Sequence, residues 1–398
     1  MIFTKKANIL QLLLLLLVLV SCNQQNKKAT NNKHNSKDTG VIKIPQGPKL
    51  SKEYIHSKEK QITAFYNKNW PKKRANGSFL VAKNSQIIFE KYEGYANYKS
   101  KLLITSTTPI HIASVSKVIT ATVILKLIGE KKITLDQKVN TILKEFPYPD
   151  VTVKTLLSHR SGMRNYAYFT EKKGIWDRHK ILTNQDILTL MATKNIDLEF
   201  RTDSRFSYCN TNYAMLALII EKITGSSYKN AVEKMIFKPL EMTHSYVFDY
   251  EKDKKTATPS YRGNFSEFYL DYLDGIYGDK NIYSTPRDLL KFDNGRNSAL
   301  FLDPKLLKLA YIGYSNERKG TRNYGLGIRM INWDNGKNFY YHNGWWHGNT
   351  SAYITLPEEK VTIIALSNKF NRSTYNVKKL AALFGDYPFR INKDDKEE

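Results

Sequence analysis

Cysteine is almost missing from this 398-residue chain, which has only Cys22 and Cys209. Cys22 closes an apolar leader, so Cys209 is left without a partner. A fold stapled by internal disulfides is excluded, and stability has to come from packing. The same scarcity removes cysteine-based zinc sites, and there is no His-Glu-x-x-His to replace them. No Gly-x-Ser-x-Gly elbow occurs either. Gly325-Leu326-Gly327 lacks the third glycine of a dinucleotide loop, because Met330 stands in its place, and it reads as a strand with close neighbours. No internal repeat is evident, which argues against a solenoid or a propeller. Acidic residues are scarce too: 37 Asp and Glu face 62 Lys and Arg, for a formal net charge of +25. The lysines are scattered rather than clustered. That pattern fits a lysine-rich surface, or one meeting anionic lipid or cell-wall polymer, better than a nucleic-acid interface. Hydrophobic residues make up 41%, enough for a packed interior.

A long apolar run occurs only at the N-terminus. Lys5 and Lys6 precede the run Ile9–Val20, which is short for a membrane span and suits the core of a secretory signal. It ends in Leu19-Val20-Ser21-Cys22, which resembles the bacterial lipobox, where the cysteine is acylated. The expectation is a signal peptide over 1–21 and a lipidated, disordered tether over 22–50. A single domain follows over 51–388, and a charged tail over 389–398. The protein is expected to be exported and held at a membrane, facing the periplasm or the cell exterior.

Within the domain, apolar residues at Ile55, Ile62, Phe65 and Tyr66 predict an amphipathic helix over 53–70. The segment 78–97 predicts a hairpin turning at Asn84-Ser85-Gln86. Ser114 opens an apolar helix that should stop at Gly129, and a second such helix should stop at Gly225. Strands return in "NFYYHNGWW", "TSAYITLP" and "VTIIALSN", before a last helix in "YNVKKLAALFGDY". The economical fold is α+β: an antiparallel sheet built from about 51–112 and 320–388, flanked by helices, with a mainly helical lobe inserted over about 113–319.

Three short motifs carry possible chemistry. Ser114-x-x-Lys117 puts a hydroxyl and an amine on one helix face. Two other copies start at Ser57 and Ser226, but only Ser114 has apolar flanks, and a lysine in a buried segment needs a reason. The bland alternative is a capping serine with a lysine reaching back to solvent. Tyr208-Cys209-Asn210 stands in a loop just ahead of a long apolar helix; a phenol there can relay a proton and an amide can hold a carbonyl oxygen. His342-Asn343-Gly344 ends a predicted strand, where a glycine lets a substrate lie against the edge. Trp345 and Trp346 add aromatic bulk beside it, either as an apolar or sugar-like contact or as packing.

These motifs, in this order, resemble the serine β-lactamase and penicillin-binding-protein superfamily, in the branch of class C β-lactamases, D-aminopeptidases and related esterases. The segments "TLLSHRSGM", "IYSTPRDLLKF" and "YGLGI" are similar to further stretches of that family, and the likeness covers roughly 52–385. The resemblance implies a serine acyl-enzyme without metal or cofactor. Ser114 attacks a carbonyl, Lys117 and Tyr208 share the proton transfers, and Asn210 positions Lys117 and the substrate amide. The N–H groups of Ser114 and Trp345 form the oxyanion hole, with His342 and Gly344 lining the substrate. His342 replaces the family's lysine, lowering the fixed positive charge and favouring an ester or peptide over a β-lactam. Small-molecule or peptide carbonyl compounds, some of them cell-wall derived, are the expected partners, and nucleic acid is not. A silent binder of cell-wall peptides is the alternative. Lys280-Asn281 departs from the small residues that relatives carry before the "IYSTPRDLLKF" segment, so the loop is expected to pack differently there.

Overall fold

The structure, a computed structural model, describes residues 40–70, 75–317 and 320–391. The chain divides into Met1–Gly40 and Val41–Glu398. The expected leader, Cys22 and most of the tether lie outside the described residues. No described helix is long and apolar enough to cross a membrane.

The strands, in chain order, are β1 (Gly77–Lys83), β2 (Gln86–Glu93), β3 (Tyr95–Asn97), β4 (Leu102–Leu103), β5 (Ile110–His111), β6 (Tyr246–Val247), β7 (Ile282–Ser284), β8 (Arg322–Tyr324), β9 (Arg329–Asn332), β10 (Asn338–Trp346), β11 (Asn349–Leu356) and β12 (Val361–Ser367). Seven of them form one antiparallel sheet in the order β2-β1-β12-β11-β10-β9-β8. The expected joining of both chain ends is therefore observed, and the fold class is α+β. The β1–β2 hairpin turns at Asn84 and Ser85, with φ of 53° and 66°, the left-handed pair a tight hairpin uses.

The central strands are covered on both faces. Along β12, Ile363 packs into one core and Ile364 into the other, as the two-residue period of a strand dictates. The smaller core holds helix α1 (Lys52–Asn69), which contributes Ile62, Phe65 and Tyr66 and is capped by Ser51 accepting from the Tyr54 N–H. Each such side chain, fully withdrawn from water, stabilises by roughly 1.5–3 kcal/mol. The larger core gathers helices α2 (Ser116–Gly129), α3 (Val153–Leu157), α4 (Asn210–Thr224) and α5 (Pro286–Arg296).

Several local expectations need correction. The tether was expected to run to residue 50, yet Ile42 donates its N–H to Pro239 at 2.9 Å and Ile44 packs on the larger core. Two isoleucines in a polar stretch are enough to dock it. At the other end Phe389 and Ile391, expected in the tail, pack on the smaller core. Gly225 does cap its helix in the left-handed conformation, but Gly129 is the last helical residue of α2, and the left-handed turn comes at Lys131. Gly325–Gly327 is a turn between β8 and β9, not a strand. The final helix, over Arg372–Leu383, is a 3-10 helix.

Candidate active site

The Ser114 turn is built by close approach. β5 leads into a short 3-10 turn, Ala113–Val115, that passes directly into α2. Ala113 takes a left-handed φ of 47°, which costs on the order of 1 kcal/mol for a non-glycine residue. The bend is over-determined by its neighbours. The Ala113 N–H bonds to His111 Nδ1 at 3.1 Å, Ser351 Oγ donates to the Ile112 carbonyl at 2.6 Å, and Ile112 N–H reaches Ile282 O at 2.9 Å. β7, from the "IYSTPRDLLKF" segment, thus clamps the turn, while Thr285 caps α5 behind it.

Lys117, one turn beyond Ser114 and second in α2, is completely buried. Its Nζ donates to Ser114 Oγ at 3.0 Å and to the Asp279 carbonyl at 2.8 Å. It also lies 5.1 Å from the centre of the Tyr208 ring and 5.7 Å from that of Tyr213. Snorkelling is excluded: the amine is held inside by two neutral oxygens and faces two aromatic rings. Asn210, expected to position this lysine, is not among its hydrogen-bond partners; the Asp279 carbonyl takes that place. Asn210 stands at the first turn of α4, and its buried Oδ1 has no partner among the described residues.

His342 is fully buried on β10, with Nε2 against the Tyr324 hydroxyl at 3.1 Å and its ring 6.2 Å from that of Tyr208. Burial, then the charges of Arg329 and Lys117, hold its imidazole well below the ordinary histidine range, so the ring is neutral at pH 7. Gly344 has a sharper role than expected. A Cβ there would lie 2.5 Å from the Ile112 carbonyl, 2.3 Å from Ser351 Oγ and 3.0 Å from Ala113 Cβ. What lies against this glycine is the protein's own Ser114 turn, and only glycine permits it. The two tryptophans part ways. Trp345 is 64% exposed, while Trp346 turns in, donating to Asp274 Oδ1 at 2.7 Å and covering the Lys280 amine at 4.7 Å.

Across β10, the register with β9 stops at Tyr341↔Arg329, whereas β11 stays paired to Trp346. From His342 onward one edge of β10 is therefore free of any strand among the described residues. A half-buried hydroxyl bonded to a buried amine, a phenol ring beside that amine and an open strand edge against the Ser114 turn come together here, with the unpaired Asn210 amide oxygen two residues past the phenol. Such a set can hold an extended carbonyl compound and move a proton at the attacking oxygen.

Residues 63–384 match the profile of the Beta-lactamase family, most of the chain. The chain belongs to the Beta-lactamase family. It is a serine hydrolase of that type. It is 30% identical over 336 residues to "Penicillin-binding protein 4*" of Bacillus subtilis (strain 168), covering 80% of this chain and 74% of that one. It is 26% identical over 263 residues to "Teichoic acid D-alanine hydrolase" of Staphylococcus aureus, covering 65% and 63%. Among solved structures, a penicillin-binding protein from Bacillus halodurans superposes with a TM-score of 0.70 at 22% identity, covering 84% of this chain and 100% of that one.

The family resemblance at "TLLSHRSGM" has a physical content that sequence reading left open. His159, just past α3, is buried with a φ of 57°, and its Nδ1 accepts from the Cys209 N–H at 3.2 Å and from Asn212 Nδ2 at 3.1 Å. Its ring lies 4.3 Å from that of Tyr208. This histidine splints the Tyr208–Asn210 loop, and burial together with the Lys117 and Arg329 charges keeps it neutral. In "YGLGI", a Cβ on Gly327 would come within 2.3 Å of Ala121 Cβ, so the turn rests on α2.

Lys280-Asn281 point inward. Lys280 Nζ donates to Tyr166 at 2.8 Å and lies 3.8 Å from the Asp279 carboxylate, and Asn281 Oδ1 meets His111 Nε2 at 3.0 Å. They brace the Ser114 turn from behind. Trp346 and His347 wall a cavity of about 390 Å³ in which Ser114 has no part. There Asp271, Asp274 and His347 bring donor atoms within 4.8 Å of one another. His347 Nε2 lies 2.9 Å from Asp274 Oδ2, so the ring and the carboxylate are tied to each other.

Proposed function

We propose that the protein is an exported, lipid-anchored hydrolase of an ester, D-amino peptide or amide that works through an acyl-enzyme on Ser114. Ser114 Oγ adds to the substrate carbonyl while its proton passes to the Lys117–Tyr208 pair. The carbonyl oxygen becomes an oxyanion held by the Ser114 and Trp345 N–H groups. Collapse of this adduct breaks the bond to the leaving group, which takes the proton from Tyr208. Water then adds to the acyl ester by the same route, and the acid product leaves with Ser114 restored.

The observation that carries this reading is the 3.0 Å contact between Ser114 Oγ and a fully buried Lys117 whose amine, among the described residues, bonds to neutral oxygens alone. An amine held dry against the attacking oxygen, with no carboxylate among its described partners, is placed to take that oxygen's proton. The neutral His342 supports an ester or peptide in preference to a β-lactam. The name of the staphylococcal relative, a D-alanine hydrolase, points the same way.

A fluorescent fluorophosphonate tests the chemistry. It should label the wild type at Ser114, as located by peptide mass spectrometry, and leave Ser114→Ala unlabelled. A folded wild type that takes no label points to a silent binder of cell-wall peptides. The anchor rests on the apolar run and Leu19-Val20-Ser21-Cys22. Labelled palmitate should enter the wild type in bacterial membranes, and Cys22→Ala should lose both label and membrane fraction.

A further inference from the structure

The β3–β4 hairpin is a two-stranded sheet of its own, apart from the seven-stranded one. Its roots, Ala96 and Ile104, are buried in the larger core, and every residue over 98–103 is exposed. The tip is held in shape: the Tyr98 N–H donates to the Tyr261 hydroxyl at 2.9 Å, and the Ser100 N–H to Asn97 Oδ1 at 3.0 Å. Polar residues ordinarily fill such a tip. This one carries Leu102 and Leu103, 62% and 58% exposed, and neither belongs to either core. Two adjacent aliphatic side chains left in water are what a soluble surface avoids.

The tip is one end of a continuous line. Tyr98 stacks on Phe265 at 4.3 Å, and the Lys369 amine lies 3.9 Å from the centre of the Phe265 ring. Phe370, next in the chain, meets the exposed Trp345 at 6.2 Å. Trp345 ends the line at the Ser114 site, beside the open edge of β10. The charge along it has one sign: Lys99, Lys101 and Arg262 are exposed, and no acidic residue occurs over 95–103, 262–266 or 369–372. The Lys101 amine lies 3.8 Å from the centre of the Tyr98 ring. Leucines that can enter the acyl layer, aromatic rings suited to the headgroup level and cations for lipid phosphates make up the chemistry of a bilayer interface. A soluble polyanion would recruit the cations and leave the leucines in water.

We infer that the β3–β4 tip docks on an anionic phospholipid bilayer and holds the Trp345 end of the Ser114 site at the lipid surface. This rests on the proposed placement at a membrane and is independent of the acyl-enzyme.

The test removes the anchor. The chain from Asn23 onward keeps the compact unit Val41–Glu398 whole and lacks both the leader and Cys22. It should sediment with mixed phosphatidylglycerol–phosphatidylcholine vesicles at least about tenfold more strongly than with phosphatidylcholine alone. Leu102→Ser combined with Leu103→Ser should weaken partition into the anionic vesicles by about tenfold or more. Lys99→Gln and Lys101→Gln should each weaken it by about fivefold. A polarity-sensitive dye on Ser100→Cys should shift to the blue on those vesicles, since Cys209 is buried and stays unlabelled. Binding that the leucine substitutions leave unchanged overturns the inference; its loss in high salt, with binding of soluble poly(glycerol phosphate), then assigns the surface to a polyanion. Absence of binding to either vesicle overturns it too, as does a vesicle-bound protein whose dye stays in water. Melting curves confirm that each variant is folded, and Leu102→Thr with Leu103→Thr serves if the serine pair is not. Failure of the fluorophosphonate to label Ser114 would sink the acyl-enzyme alone, and absence of palmitate from Cys22 the anchor alone.

Discussion

Two lysines are buried on either side of Asp279, and they are solved in opposite ways. Lys280 lies 3.8 Å from the Asp279 carboxylate, and its Nζ donates to Tyr166, which itself donates to Asp279 Oδ2 at 2.7 Å. Lys117 meets the same residue through its backbone carbonyl alone, and its other partner is the Ser114 hydroxyl. Burial lowers the Lys280 amine below the ordinary lysine range, and the Asp279 and Asp274 carboxylates pull it partly back. One amine is thus locked into a charge network that holds the loop in place. The other meets uncharged oxygens alone among its described partners, one of them the Ser114 hydroxyl. The lesson is that a buried lysine signals reactivity only when the neutralising charge is withheld.

That contrast can be broken from either side. The largest effect belongs to the reactive pair: Ser114→Ala or Lys117→Met should lower kcat/KM by roughly a thousandfold or more, with a melting temperature within a few degrees of the wild type. On the structural side, Lys280→Met should leave Asp279 buried and uncompensated, with a loss of stability of about 3–5 kcal/mol by denaturant titration. In the folded fraction it should leave turnover within several-fold, since the Asp279 carbonyl that holds Lys117 is not touched. Asp279→Asn combined with Lys280→Met should recover part of the lost stability, because neither charge then remains unpaired. If Lys280→Met instead abolished turnover at full stability, the division of labour drawn between the two amines would be wrong.

Smaller effects sharpen the picture of how the Ser114 turn is held. Gly344→Ala should cost about 1–3 kcal/mol, as an added methyl would press on the Ile112 carbonyl, and turnover should fall with it because the turn carries the hydroxyl. Activity retained in full would show that the turn gives way freely. The braces behind it should titrate. His111 is buried and neutral, and burial pushes its imidazole down to about 4 against the Asn281 hydrogen bond that favours charge. The unfolded chain takes up that proton near pH 6.5 and the folded one does not. Its contribution, on the order of 3 kcal/mol, is therefore complete above pH 6.5 and is lost as pH falls toward 4. Melting temperatures should decline over that window in the wild type, and less steeply in His111→Gln measured against its own value at pH 8.

Much of the site is legible because its side chains sit in unusual surroundings. Ser114-Lys117 stood out from two other copies by its apolar flanks, and the structure buries Lys117 entirely. The second partner of Lys117 carries no such signal: a main-chain carbonyl at residue 279 looks the same in any sequence and arrives from far along the chain. The splint at His159 is present as a resemblance without a reason, because its partners, the Cys209 N–H and the Asn212 side-chain amide, lie about fifty residues along the chain. Gly344 was read as making room for a substrate, whereas the space is taken by residues 112 and 113. Arg329, whose guanidinium carbon lies 4.6 Å from the centre of the Tyr208 ring, carries no signal of that contact in a chain so rich in basic residues. The same holds for the docked segment near Ile42, where two apolar residues decide against a polar background.

The open edge of β10 has a bearing on what this enzyme can process. Unpaired N–H and C=O groups in a row would ordinarily invite other chains to zip on, which soluble proteins avoid. Here the exposed row is short and ends at the tryptophans and the left-handed turn of His347. It is too brief to seed stacking between copies, yet long enough to grip a few units of a linear, floppy molecule. Compact folded proteins cannot present such a strand, so selection against bystander proteins is built into the sheet itself.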